Sequence, residues 1–229
     1  AGSTEIDGFR ERFPDRFFNL GVAEQNAVGV AAGMAFEGLV PLFHSFGVFT
    51  TRRPYEQVCI QVAMERANVK LVGALPGLSS RLGPTHQAID DLSLMRTLPN
   101  MTVVAPADAT EMVQALQAIV DHEGPCYMRM LRRDVPVLLD PDRYTFRLGR
   151  AVQVRQGSDV TIACTGSTLS MALEAARMLQ TENVEAAVLH VPTIKPLDED
   201  AVLQCAARTA GVVTVEDHFL HTGLAAILA

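Results

Sequence analysis

Residues 16–37 read RFFNLGVAEQNAVGVAAGMAFE. The apolar run 17–20 predicts a short buried strand, and Gly21 predicts a turn. The Ala-, Gly- and Val-rich run after it predicts a helix over residues 23–37 that packs closely against its neighbours. Glu24 is the one charge at the opening of that helix. With apolar residues before it and small ones after it, Glu24 is expected to enter the core. A carboxylate there is either a cap at the third position of a helix begun by Gly21 or a piece of chemistry. A buried one needs a partner, because an uncompensated charge is costly to desolvate.

Outward from this stretch, short apolar runs alternate with helical patterns. Strands are predicted at residues 40–45, 69–75, 101–105 and 126–131, with helices at 55–66, 89–98 and 109–121. Asp108 is the expected N-cap of the last helix. The composition shifts over residues 134–150, DVPVLLDPDRYTFRLGR, to a linker or a strand at a domain boundary. Alternation then resumes, with strands at 160–164, 186–190 and 212–216 and helices at 168–180 and 198–208. Continuous apolar strands with helices between them predict α/β architecture in two parallel-sheet domains, 1–140 and 141–229. Both ends read as cut, so the chain is taken as part of a longer or incompletely ordered one.

Composition narrows the function classes. The 229 residues are 48% hydrophobic and 20% charged with a net charge of −7, which describes a well-buried globular chain. Scattered Lys and Arg argue against nucleic acid or an anionic membrane as the main partner. No apolar run reaches the ~18 residues of a spanning helix. The first residues lack the pattern of a signal peptide. Cys59, Cys126, Cys164 and Cys205 are far apart, as expected of buried free thiols in a reducing cytoplasm. No metal-ligand cluster is evident.

Two further stretches carry candidate chemistry. Phe46 and Phe49 stand three apart after a strand, where the chain should turn outward. They are either core or a wall on which a flat ligand stacks. The loop 75–87, LPGLSSRLGPTHQ, ends in Thr85-His86-Gln87 at an expected helix N-terminus. A lone His there is a capping or surface residue unless the loop carries a site. In open parallel sheets ligands gather at the carboxyl ends of strands. Glu24, Phe46, the 76–87 loop, Arg132 and Gly166 are all expected there.

GVAEQNAVGVAAGMAFEG, Phe46-x-x-Phe49, Gly83-Pro-Thr-His86-Gln, Asp90-Asp-Leu, Pro99-Asn-Met and Pro106-Ala-Asp together closely resemble the pyrimidine-binding domain of transketolases. They are similar also to 1-deoxyxylulose-5-phosphate synthases. His190-Val-Pro-Thr-Ile-Lys-Pro-Leu-Asp and Val215-Glu-Asp-His218 look like the transketolase C-terminal domain. The family's diphosphate domain carries Gly-Asp-Gly and an Asn pair that hold Mg²⁺. The nearest string here is Ile6-Asp-Gly, without the pair. The chain therefore resembles the C-terminal subunit of a split transketolase, with a separate chain supplying the metal and diphosphate site.

That resemblance implies thiamine diphosphate as cofactor, Mg²⁺ held by the partner chain, and a cytoplasmic heterotetramer transferring a two-carbon ketol unit. Glu24 matches the glutamate that hydrogen-bonds the aminopyrimidine N1′. Phe46 and Phe49 match the pyrimidine-pocket aromatics, with Arg52 beside them in the cofactor-binding set. His86 matches the substrate-side histidine. Arg132 and Ser3 fall where the family keeps a sugar-phosphate arginine and a phosphate-side serine. Leu82-Gly83 replaces the family's Asp-Gly, and the histidine expected near Ala74–Leu75 is missing. Both losses weaken the case for an ordinary pentose phosphate, and Arg132 suits a phosphate, a carboxylate or a sulfonate. The alternatives are a deoxyxylulose phosphate synthase-like or 2-oxoacid dehydrogenase-like subunit, or a non-catalytic scaffold.

Overall fold

A computed structural model describes residues 6–80, 82–131 and 134–229. Ser3 and Arg132 lie outside these residues. Helix α1 (Asp7–Arg12) leads to α2 (Glu24–Phe36), which packs against strand β1 (Leu42–Phe46). A short helix α3 (Gly47–Thr51) and then α4 (Tyr55–Gln57), opening into a π-helical stretch Val58–Met64, lead to β2 (Lys70–Ala74). Next come α5 (Asp91–Thr97), β3 (Thr102–Val104), α6 (Ala109–Asp121) and β4 (Cys126–Met130). Every residue of β2 is buried, which is why that run is continuously apolar apart from Lys70. As expected, the Asp108 side chain caps α6, accepting from the Glu111 amide at 3.0 Å.

The second half runs β5 (Val152–Arg155), β6 (Val160–Cys164), α7 (Leu169–Thr181), β7 (Ala186–His190), β8 (Thr193–Lys195), α8 (Glu199–Ala206), β9 (Val212–Val215) and α9 (Leu224–Leu228). The strands form two sheets, in the orders β1-β2-β4-β3-β8 and β5-β7-β6-β9. Both are parallel except at one edge, where β8 runs antiparallel to β3 and β5 antiparallel to β7. No helix among the described residues is long and apolar enough to cross a membrane.

The two halves are tied by more than the linker. Strand β8 crosses from the second half to extend the first sheet. Val103 and Ala105 share one buried cluster with Ala163, Leu189 and Ile194. At its edge, buried Glu111 accepts from the Ala107 amide and the Tyr144 hydroxyl, and lies 2.7 Å from His190 Nε2. The linker forms no strand, but its Leu138 and Leu139 amides donate to Asp108 at 2.7 and 2.8 Å.

Three local expectations are corrected. Residues 17–20 form no strand and lie outside the sheets, with Phe18 60% exposed rather than buried. A strand needs a hydrogen-bonding neighbour, and β1 is paired among the described residues only with β2. Glu24 is the first helical residue, not the third, because Gly21 is a left-handed turn (φ 73°) and Ala23 precedes the helix. Thr85-His86-Gln87 lies in a turn, and the next helix starts at Asp91. The cysteines are all free, with Cys59 half-buried and the others buried. Burial pushes the Cys126 thiol up to about 11, which makes it inert.

Candidate active site

The site starts from the end of β1. Phe46 is its last residue, and Gly47 follows at once into α3. A Cβ at Gly47 would come 2.8 Å from the Ala88 Cβ, so only glycine lets this corner meet the returning 75–88 loop. The corner is locked by side chains one turn on. Thr50 Oγ1 donates to the Phe46 carbonyl at 3.0 Å and Thr51 Oγ1 to the Gly47 carbonyl at 2.8 Å. Phe46 and Phe49 are thereby held with ring centroids 5.9 Å apart, edge to face.

His86 completes a three-ring cluster. Its centroid lies 5.4 Å from Phe46 and 5.1 Å from Phe49, again edge to face. Its Nδ1 shares a 2.8 Å hydrogen bond with Thr85 Oγ1, and its amide donates to the Gly83 carbonyl. Glu24 reaches the same cluster through a residue that sequence reasoning missed. Arg53 Nη1 lies 2.7 Å from Glu24 Oε1, while its guanidinium covers the Phe49 ring at 3.8 Å. The Glu24 carboxylate is buried at the floor of an open cleft of about 440 Å³ lined by Val22, Ala23, Gln25, Asn26 and Arg53.

Arg52 is placed differently from its neighbour. It grips Asp90 through Nε and Nη2 at 2.8–3.0 Å and donates weakly to the Gln87 carbonyl, on the loop side of the corner. The signal for Arg53 was the requirement that a buried carboxylate have a counter-charge; the Arg52-Arg53 doublet did not say which side chain supplies it. Phe46, Ala74, Leu75, Ala88, Phe49 and Met130 form one cluster at the carboxyl ends of β1, β2 and β4. Gly166 sits elsewhere, against Ala105 and Pro106.

A buried carboxylate at the start of α2 thus lies, through Arg53, beside an aromatic cluster at the carboxyl ends of parallel strands in an α/β chain. Residues 1–137 match the family model "Transketolase, pyrimidine binding domain", and residues 149–229 match "Transketolase, C-terminal domain". The chain belongs to the transketolase family. It is 46% identical over its whole length to an uncharacterised transketolase family protein of Sinorhizobium fredii, of which it spans 67%. It is 42% identical over 99% of its length to a 6-deoxy-6-sulfo-D-fructose transketolase subunit of Clostridium sp., of which it spans 70%. A solved split-gene transketolase, an inactive β4 tetramer, superposes with a TM-score of 0.92 at 40% identity, covering all of this chain and 74% of that one. The chain thus corresponds to the pyrimidine-binding and C-terminal sections of a transketolase-type transferase, a family that depends on thiamine diphosphate.

Proposed function

We propose that this chain is the pyrimidine-side subunit of a split transketolase, transferring a two-carbon ketol unit from a ketose to an aldose or aldehyde. Its pyrimidine-binding unit is assigned to residues 1–140 and its C-terminal unit to 141–229. A separate diphosphate-domain chain supplies Mg²⁺ and the diphosphate site. The working form is a cytoplasmic heterotetramer of two chains of each kind. The exposed apolar residues Phe18, Val22, Val30 and Phe36, leading into and along α2, support a protein partner in this region.

The residues fit the cofactor's aminopyrimidine: a buried carboxylate for its ring nitrogen and, beside it, two aromatic rings, of which Phe49 is covered on one side by Arg53. Mg²⁺ is assigned to the partner chain. Thiamine diphosphate supplies the carbanion chemistry when bound. Glu24 holds the proton at N1′, and its carboxylate hydrogen bond shifts that proton equilibrium most once the partner chain covers the cleft. Its Oε1 is paired with Arg53, and among the described residues no partner is seen for Oε2, which the proposal gives to the ring. Phe46 and Phe49 orient the ring and exclude water. His86 assists proton movement and oxyanion stabilisation at the substrate oxygen. Arg52 belongs to the cofactor side only through the corner it braces against Asp90. Arg132 and Ser3 are assigned to an anionic end of the sugar. The sulfo-sugar relative makes sulfonate and phosphate ketoses the first donors to try.

The observation that carries this reading is the buried Glu24 carboxylate facing an open cleft beside the three-ring cluster. The test combines the chain, its partner chain, thiamine diphosphate, Mg²⁺ and a panel of phospho- and sulfo-ketoses. Glu24→Gln is expected to cut ketol transfer by about 100-fold or more. A rate within twofold of wild type would sink the role of Glu24. Release of CO₂ from pyruvate would turn the assignment to the synthase-like alternative.

A further inference from the structure

Among the described residues none of the C-terminal half belongs to the three-ring cluster, yet one of its turns holds both ends of the loop that carries His86. At the first end, Asp217 Oδ1 accepts from the Leu78 amide at 2.9 Å. Gly77 makes room for that carboxylate: a Cβ there would lie 2.0 Å from Asp217 Oδ2, and the residue is also left-handed (φ 66°). At the second end, the Phe219 amide donates to the Ile89 carbonyl at 2.9 Å. The two ends are pinned to each other by a bridge between Pro76 and Ala88 and by the Gly77 amide on the Ala88 carbonyl at 2.7 Å.

The turn is itself tied to its neighbours by side-chain hydrogen bonds. Glu216 accepts from the Leu224 and Ala225 amides at the start of α9, and His218 Nε2 lies 3.1 Å from Ser93 Oγ on α5. Buried Arg129 joins turn and loop from below, donating to the Asp217 carbonyl at 3.2 Å and the Ala88 carbonyl at 3.4 Å. Between the pinned ends the Gln87 side chain donates to the Ser80 carbonyl at 3.1 Å, and His86 lies against Phe46 and Phe49.

We propose that Asp217 is a positioning residue: acting through the Leu78 amide, it fixes the 76–89 loop and so sets His86 against the two phenylalanine rings. Only the catalytic consequence rests on the role proposed for His86; the pin stands on its own. The test is made on the chain with histidine ring labelling, read by NMR. The His86 protons sit beside two aromatic rings and carry a ring-current shift, assigned with His86→Gln. Asp217→Ala is expected to move the His86 signal toward its random-coil position. Asp217→Asn, which keeps an acceptor for Leu78, leaves it near wild type. Gly77→Ala, which displaces the carboxylate, reproduces the alanine result with Asp217 intact.

An unmoved His86 signal in Asp217→Ala overturns the proposal. So does a loss in Asp217→Asn equal to that in Asp217→Ala. In the assembled enzyme Asp217→Ala should lower kcat by about tenfold or more, with thiamine diphosphate affinity unchanged and the rate restored by Asp217→Asn. Wild type inactive on every ketose would count against the proposed function, while the His86 signal still decides the pin.

Discussion

Arg53 and Glu24 form an ion pair of 2.7 Å whose two members differ sharply in exposure, the Glu24 side chain being 9% and the Arg53 side chain 45% accessible. The half-exposed arginine is screened by water, so the pair is worth less than a fully buried one. Its coupling is expected at about 1 kcal/mol, against 3–5 for breaking a buried pair. A double-mutant cycle with Glu24→Gln and Arg53→Met, followed by urea unfolding, measures it. A coupling of zero would mean that Arg53 is held by the Phe49 ring alone.

Asp91 and Arg129 behave oppositely because neither reaches water. Arg129 Nη2 lies 2.5 Å and Nε 2.9 Å from the Asp91 carboxylate, which also accepts from the Tyr127 hydroxyl at 2.5 Å. Burial alone would raise the Asp91 pKa, but the Arg129 charge and the two donors reverse this and hold it below the ordinary value. Near its ordinary pKa of about 3.9 the unfolded chain therefore binds more protons than the folded one. Stability from this group is present above that pH and is lost as pH falls through it toward the lower folded value. Asp91→Asn leaves Arg129 buried without a counter-charge and should cost about 3–5 kcal/mol at pH 7. Replacing Asp91, Arg129 and Tyr127 together by Leu, Met and Phe should cost less than Asp91→Asn alone. Urea midpoints that rank the other way contradict this account.

His44 sits on β1 with neither ring nitrogen hydrogen-bonded among the described residues, and burial lowers its pKa to about 4. Between its ordinary value of about 6.5 and 4, the unfolded chain takes up a proton that the folded chain refuses. Stability falls as pH drops through that window, by up to about 3 kcal/mol. His44→Leu should flatten this acid limb and gain about 1 kcal/mol at pH 7 by removing an unsatisfied polar ring. Thermal melts at pH 4.5 and 7.5 provide the comparison. Parallel pH profiles for wild type and variant would exclude His44 as the source.

Much of the fold was legible because it depends on local pattern. The expected 160–164 and 186–190 strands are β6 and β7, and the expected 109–121 helix is α6 with Asp108 as its cap. Buried parallel strands need unbroken apolar runs, and helices declare their caps. The edge strands β5 and β8 escaped that logic. Each is three or four residues long and is a strand only because of the neighbour that it pairs antiparallel. The opposite error at residues 17–20 has the same cause: an apolar run with no partner strand forms no strand and stays largely exposed.

The stretch around Glu24, the Phe46–Phe49 spacing and the Thr85-His86 loop were readable as separate candidates, because residue type and position at strand ends are properties of the chain itself. Their convergence was not readable. Sequence determined that Glu24 would be buried and would need a counter-charge. Tertiary structure decided that Arg53 supplies it while Arg52 turns to Asp90. Sequence likewise marked 75–87 as a loop that could carry a site, but only packing put Asp217, 139 residues beyond Leu78, in the space that Gly77 leaves open. Hydrophobic and capping patterns act over a few residues and survive in the linear order. Ion pairs and loop pins join residues distant in sequence, and they exist only once the sheets have brought those residues within hydrogen-bond reach.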